Sequence, residues 1–97
     1  MKAKEGLERA YGERLAGAIF YGSRARGDAR PDSDYDILVL LKDFDRERDW
    51  KPLHALGDEL FQMEPQEIEV NFLAREDGAL EERTGFMFNV RNEGFRL

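Results

Sequence analysis

Residues 34–41 read DYDILVLL, and this stretch decides the fold. The last five of these residues are all apolar, which predicts a strand covered on both faces, because a strand with one wet face alternates apolar and polar side chains. The first part places Asp34 and Asp36 two residues apart. Side chains two apart on a strand share one face. The stretch therefore predicts two carboxylates side by side where a buried strand begins.

The residues upstream of this strand suit a phosphate ligand. Gly22 and Ser23 end a short apolar run, and a glycine there lets backbone N–H groups approach a phosphate. Arg24 and Arg26 follow, and guanidinium groups match phosphate oxygens. Paired carboxylates favour a cation between them, and Mg²⁺ prefers oxygen ligands. An Asp-x-Asp alone more often caps a helix or closes a turn, so the combination carries the prediction of a site for a metal-bound triphosphate.

The flanking sequence predicts the remaining elements from its apolar spacing. They are a helix at 2–15 closed by Gly17, a strand at 18–21, a helix ending at Met63, a strand at 67–73 and helical segments within 75–96. The loop before residue 34 is too short for a crossover helix, which predicts an antiparallel first pair of strands. We expect an α/β (α+β) fold, a small mixed sheet of three to four strands with helices packed on it, in a single domain over residues 1–97.

The C-terminal segment allows two interpretations. Thr84 is predicted as a helix N-cap and Gly94 as the residue after the helix end. Between and beyond them lie five apolar side chains, Phe86, Met87, Phe88, Val90 and Phe95. They form either part of the core or a docking surface for a partner. Trp50 is predicted to be a packing residue.

Composition excludes several classes of function. The chain has 97 residues, no cysteine and a net charge of −6. Thiolate metal sites and cysteine nucleophiles are therefore absent, and nucleic acid is not expected as a direct ligand, because binding to phosphates needs a basic face. No apolar run approaches the roughly 20 residues of a membrane span. We expect a cytoplasmic protein that does not bind membranes.

The segment Gly22-Ser23-Arg24-Ala25-Arg26-Gly27, followed by Ser33-Asp34-Tyr35-Asp36, resembles the Gly-Ser-x-Arg…Asp-x-Asp signature of the DNA polymerase beta-like nucleotidyltransferase superfamily. Residues 28–32, between the two halves of this signature, resemble specifically the minimal nucleotidyltransferases of bacteria and archaea. The motif covers about a fifth of the chain.

This resemblance implies the transfer of AMP from ATP to a hydroxyl, with two Mg²⁺ ions held by three carboxylates. Asp34 and Asp36 match the first two. Glu69, between Ile68 and Val70, is the candidate for the third, while Glu67 in its place or no third acid at all stay open. Gly22, Ser23, Arg24 and Arg26 match the segment that binds the triphosphate.

Minimal nucleotidyltransferases of this kind are often antitoxins of small helical HEPN toxins, which they can adenylylate. The resemblance thus implies a HEPN-type helical protein as partner and a possible hetero-oligomer. The alternative is a non-catalytic antitoxin that neutralises its partner by contact. Transfer to a small molecule ranks last, because the related aminoglycoside adenylyltransferases add a helical acceptor domain.

Overall fold

The structure, a computed structural model, describes residues 2–22, 35–63 and 70–97. These residues form helix α1 (Lys2–Tyr11), strands β1 (Leu15–Tyr21) and β2 (Tyr35–Leu41), helix α2 (Arg46–Met63), strand β3 (Val70–Glu76), helix α3 (Gly85–Glu93) and strand β4 (Phe95–Arg96). Short 3-10 helices occupy Gly12–Arg14 and Asp77–Glu81. The mixed α/β architecture with one small sheet confirms the predicted fold class.

The four strands form one sheet in the order β3-β2-β1-β4. β1 and β2 are antiparallel, as the short loop predicted. β3 lies parallel to β2 on its other side, and α2 makes the crossover between them. β4 adds an antiparallel edge by pairing with Ile19 and Phe20. Because β2 lies in the middle, the residues that open it are flanked by a strand on each side.

Both faces of β2 are covered, which explains its unbroken apolar sequence. Ile37, Val39 and Leu41 pack against α1 and α2, and this side is called the α1–α2 face below. Leu38 and Leu40 pack with Met87 and Val90 of α3 and with Ala79, and this side is called the α3 face. All five of these β2 residues are buried. Burying one such aliphatic side chain contributes about 1.5–3 kcal/mol, so this strand anchors the domain.

A buried carboxylate stabilises one end of the sheet, the end opposite to the residues that begin β2. The Asp49 carboxylate accepts hydrogen bonds from both Nη atoms of Arg14, at 3.0 and 2.6 Å, and from the backbone N–H of Asp45. The Tyr11 hydroxyl donates to the backbone oxygen of Asp49 at 2.6 Å. These bonds tie α1, the turn before β1 and the first turn of α2 together. Hydrogen bonds from Arg14, and to a lesser extent from Arg48, hold the pKa of the Asp49 carboxyl well below its usual range.

Three sequence predictions in the first half need correction. The first helix ends at Tyr11, because Gly12 takes a left-handed φ of 58° and starts the 3-10 turn. Gly17 therefore does not close a helix; it lies within β1, which begins three residues earlier than predicted. Trp50 is not buried packing: it is 58% exposed and stacks on His54.

The second half also differs from its predictions. β3 extends to Glu76, beyond the predicted end, and residues 95–96 form a strand instead of a helix end. Thr84 is confirmed as the N-cap, accepting a hydrogen bond from the Met87 N–H at 3.1 Å. Gly94 directly follows the last residue of α3, as predicted, with a φ of −81°. A Cβ there would lie 2.6 Å from Ile19 Cγ2, and close contact with β1 explains this glycine.

Candidate functional site

Asp36 lies at the start of β2, between two neighbours in the sheet. Its Cα pairs with Tyr21 of β1 and with Asn71 of β3. Tyr21 packs beside the cluster on the α3 face, and Asp36 shares that face because it lies two residues before Leu38. The side chain of Asn71 points the same way, because Phe72 packs on the α1–α2 face. The polar side chains of Asp36, Tyr21 and Asn71 thus share one face at one end of the sheet.

Gly22 brings the backbone of β1 directly against the Asp36 carboxylate. It has a φ of 86°, in the left-handed region that side-chain-bearing residues avoid. A Cβ at this position would lie 2.5 Å from Asp36 Oδ2, which is too close for two non-bonded atoms. Both the conformation and the contact therefore require glycine here. The Asp36 carboxylate occupies the space that a side chain at this position would need.

The electrostatic setting of the site favours a cationic ligand. Burial raises the pKa of Tyr21, and the negative charge of Asp36 raises it further. The phenol accordingly stays neutral through the physiological range and supplies no charge of its own. A carboxylate in such a partly dehydrated setting interacts more strongly with a cation than one in open water. Carboxylate and amide oxygens, as on Asp36 and Asn71, are the ligands that Mg²⁺ prefers.

Five of the seven predicted site residues lie outside the described residues: Ser23, Arg24, Arg26, Asp34 and Glu69. Their predicted roles stay predictions. Within residues 2–22, 35–63 and 70–97, no group of three or more His, Asp or Glu side chains is arranged to hold a metal ion. Gly22 and Asp36, the two predicted residues that are described, do lie in direct proximity.

The apolar side chains of the C-terminal segment are partly buried and partly exposed, so each of the two interpretations holds for some of them. Met87 and Val90 are buried in the core, as one interpretation holds. Phe86, Phe88 and Phe95 are exposed, as the other requires. Phe86 also meets Tyr21 edge to face, with ring centroids 5.4 Å apart. Phe86 was not predicted to lie at the site; its position two residues after the N-cap Thr84 and directly before buried Met87 was the available signal.

A concavity lies elsewhere, between α2 and the edge strand β3. Its volume is about 620 Å³, and Trp50, His54, Phe61 and Leu73 are among the residues that line it. Asn71 is also part of its wall, whereas Asp36 and Gly22 are not. Asp36 is kept as the candidate site because the motif residues Gly22 and Asp36 lie together there, whereas the concavity contains neither of them.

Solved structures with the same fold come from toxin–antitoxin systems. A toxin–antitoxin crystal structure with AMP-PNP has 22% identity and a TM-score of 0.64, covering 98% of this chain and 69% of the other. A MntA-HpeT mutant with two aspartates changed to glutamate has 20% identity and a TM-score of 0.63, with the same coverage. A tyrosine-to-alanine MntA-HpeT mutant has 22% identity and a TM-score of 0.60, covering 99% and 69%.

Sequence comparison assigns the family. No curated protein sequence matches the chain. The described parts of the chain contain no helix that is both long enough and apolar enough to cross a bilayer. The profile of the family described as "Nucleotidyltransferase domain" matches residues 1–87, which is most of the chain and includes both strands that flank the Gly22–Asp36 contact. The chain therefore belongs to the nucleotidyltransferase domain family.

Proposed function

We propose that this chain is a Mg²⁺-dependent nucleotidyltransferase that transfers AMP from ATP to a hydroxyl of a partner protein. The observation that carries the proposal is the contact between the Gly22 turn and Asp36 Oδ2. Backbone N–H groups suited to phosphate and a carboxylate suited to a cation meet there, which is what a metal-bound triphosphate needs. Residues 1–97 would form a single minimal domain of this kind.

The proposed metal ligands follow from the register of the sheet. Asp36 pairs with Asn71, and counting two residues back along each parallel strand gives Asp34 and Glu69. Side chains two apart share a face, so a continued register would add both carboxylates to the face of Asp36. We propose these three acids as ligands of two Mg²⁺ ions. Ser23, Arg24 and Arg26 would bind the triphosphate with Gly22.

The transfer step needs little from the protein beyond positioning and charge. The acceptor hydroxyl oxygen forms a bond to the α-phosphorus, the bond from that phosphorus to the bridging oxygen breaks, and pyrophosphate leaves. The hydroxyl proton passes to a carboxylate or to water. Bound Mg²⁺ would supply charge neutralisation at the entering and leaving oxygens. Asp36 orients the ligand, and the buried β2 behind it keeps that orientation fixed.

The acceptor is proposed to be a HEPN-type helical toxin, with this chain as its cytoplasmic antitoxin in a hetero-oligomer. Support comes from the toxin–antitoxin structures that share the fold, one of which was solved with AMP-PNP. One of them carries substitutions of two aspartates that are two positions apart, the spacing of Asp34 and Asp36. Neither a membrane nor nucleic acid is expected as a ligand, given the net charge of −6.

Label transfer tests this proposal. The protein is incubated with Mg²⁺, ATP labelled at the α-phosphate and a HEPN-type partner, and we expect the label on the partner. Asp36→Asn and Asp34→Asn should each abolish transfer, whereas Asp58→Asn should not, because Asp58 is an exposed acid on α2. Undiminished transfer by the Asp36 and Asp34 variants would contradict the assignment of the site.

A non-catalytic antitoxin is the second candidate. The exposed Phe88 and Phe95 rings favour it, since large exposed apolar side chains are available for a protein partner to cover. On this hypothesis Asp36→Asn still binds and silences the partner, and Phe88→Ala weakens binding. Loss of neutralisation in Asp36→Asn, with binding intact, would exclude it.

A further inference from the structure

Tyr21 and Phe86 form an aromatic pair beside the candidate site. Tyr21 pairs with Asp36 across the sheet and directly precedes Gly22 in the chain. Its ring meets that of Phe86 at an interplanar angle of 87°, with centroids 5.4 Å apart. This edge-to-face arrangement is one that aromatic rings prefer. Phe86 is therefore linked to the carboxylate through a single intervening side chain.

Core packing covers only part of Phe86. The neighbouring Met87 is buried in the core, whereas Phe86 is 42% exposed. The helix that carries it is well fixed, because Thr84 caps its start and Arg91 donates a hydrogen bond to the Glu82 backbone oxygen at 3.1 Å. A large apolar ring is thus held partly exposed by a rigid element. Such placement costs solvation free energy unless a ligand covers the ring.

We propose that Phe86, supported by Tyr21, is the stacking platform for the base of the nucleoside triphosphate. The inference rests on the proposed function, which places the phosphates at Gly22 and Asp36. A triphosphate bound there extends its nucleoside away from the carboxylates, and the exposed ring next to Tyr21 provides an apolar surface for the base. Stacking reads the π-face and not the hydrogen-bonding edge, so it accepts any base. Nucleoside triphosphates, as distinct from the same phosphates without a base, are accordingly the substrate class.

Other exposed rings lack this connection. Phe88 lies two residues along α3, about 200° around the helix axis, and is 58% exposed. Phe95 lies on β4, at the edge of the sheet. Trp50 stacks on His54, and both residues lie on α2, the helix that packs on the α1–α2 face. Phe88 is consequently the matched control, since it has the same residue type and helix and greater exposure.

Calorimetric titration with two ligands tests the inference. ATP carries a base, and inorganic tripolyphosphate has the same phosphates without one; both are titrated in the presence of Mg²⁺. We expect Phe86→Ala to weaken ATP binding about 10-fold and to leave tripolyphosphate binding unchanged. Phe86→Trp should retain ATP binding, which separates stacking from a folding defect. Phe88→Ala should change neither affinity.

The other outcomes separate the inference from the proposed function. If ATP and tripolyphosphate bind the unaltered protein and Phe86→Ala changes neither affinity, or both equally, the platform is wrong while the triphosphate site stands. If Phe86→Ala weakens binding of a protein partner and not of ATP, the ring belongs to a docking surface and the inference is likewise overturned. If the unaltered protein binds neither ligand, the proposed function fails, and the platform with it.

Discussion

Replacing Gly22 by alanine perturbs the site at the point where backbone and carboxylate touch. Two effects add. The residue has a φ of 86°, and a left-handed conformation costs an L-residue about 1–2 kcal/mol. The new Cβ would also lie 2.5 Å from Asp36 Oδ2, so the carboxylate must turn away. Displacing a ligand group by about 1 Å costs on the order of 100-fold in rate.

Gly12 provides the control for the first effect alone. It too is left-handed, with a φ of 58°, but a Cβ there would meet nothing within 4 Å. Gly12→Ala and Gly22→Ala should therefore both lower the Tm, by about 4–8 °C per kcal/mol for a domain of this size. Only Gly22→Ala should also lower the rate of label transfer, by roughly 100-fold.

The assays are thermal unfolding by circular dichroism and initial rates of transfer from labelled ATP. Gly85→Ala is the neutral reference, because its backbone is ordinary and a Cβ there would also meet nothing within 4 Å. If Gly12→Ala slows transfer as much as Gly22→Ala does, the loss reflects backbone strain or unfolding and not the contact with Asp36. Label transfer by Gly22→Ala at the rate of the unaltered protein would also show that the contact with Asp36 is not needed.

Three further predictions concern stability, each measured as a change in Tm. Asp49→Asn should cost about 2 kcal/mol at pH 7, less than a fully buried pair, because the Arg14 side chain is 34% exposed. The folded-state pKa of Asp49 is depressed, so the stabilisation by this carboxylate is present above its unfolded pKa of about 4 and is lost as the pH falls further. The Tm of Asp49→Asn should therefore fall less in acid than the Tm of the unaltered protein. The same acid dependence in both proteins would contradict this prediction. Tyr11→Phe removes one buried hydrogen bond and should cost about 1 kcal/mol, while an unaltered Tm would mean that the bond contributes nothing. Thr84→Ala removes the N-cap of α3 and should cost about 1 kcal/mol, whereas Thr84→Ser should cost little; equal losses would contradict a capping role.

The parts of the fold that sequence predicted are those with a long, regular pattern. β2 was predicted correctly because five consecutive apolar residues require cover on both faces, and the two core clusters provide it. The long helix was predicted because Leu53, Leu56 and Leu60 recur at helical spacing, and all three are buried. Asp49 lies four residues before Leu53 on the same stripe, so its burial was visible in the spacing although it was not predicted.

The errors occurred where a local pattern conflicts with a distant contact. Leu15 continues the helical spacing of Leu7 and Tyr11, yet it begins β1, because Gly12 breaks the helix and Leu41 pairs with Leu15 across the sheet. Two residues are too few for a periodic signal, so β4 was missed. That strand exists because β1 has an open edge that Phe95 can reach.

The candidate site was accessible from sequence only in part, and the division has a physical origin. A motif specifies residues that must touch the same ligand, so Gly22 and Asp36 could be paired although 13 residues separate them. The contact between Gly22 and Asp36 Oδ2 then explains why the motif needs glycine: the carboxylate occupies the space of a side chain. Phe86 has no such constraint, because stacking accepts any exposed ring that a rigid element holds nearby. The residues proposed to bind the phosphates are thus found by pattern, whereas the residue proposed to stack on the base requires the fold.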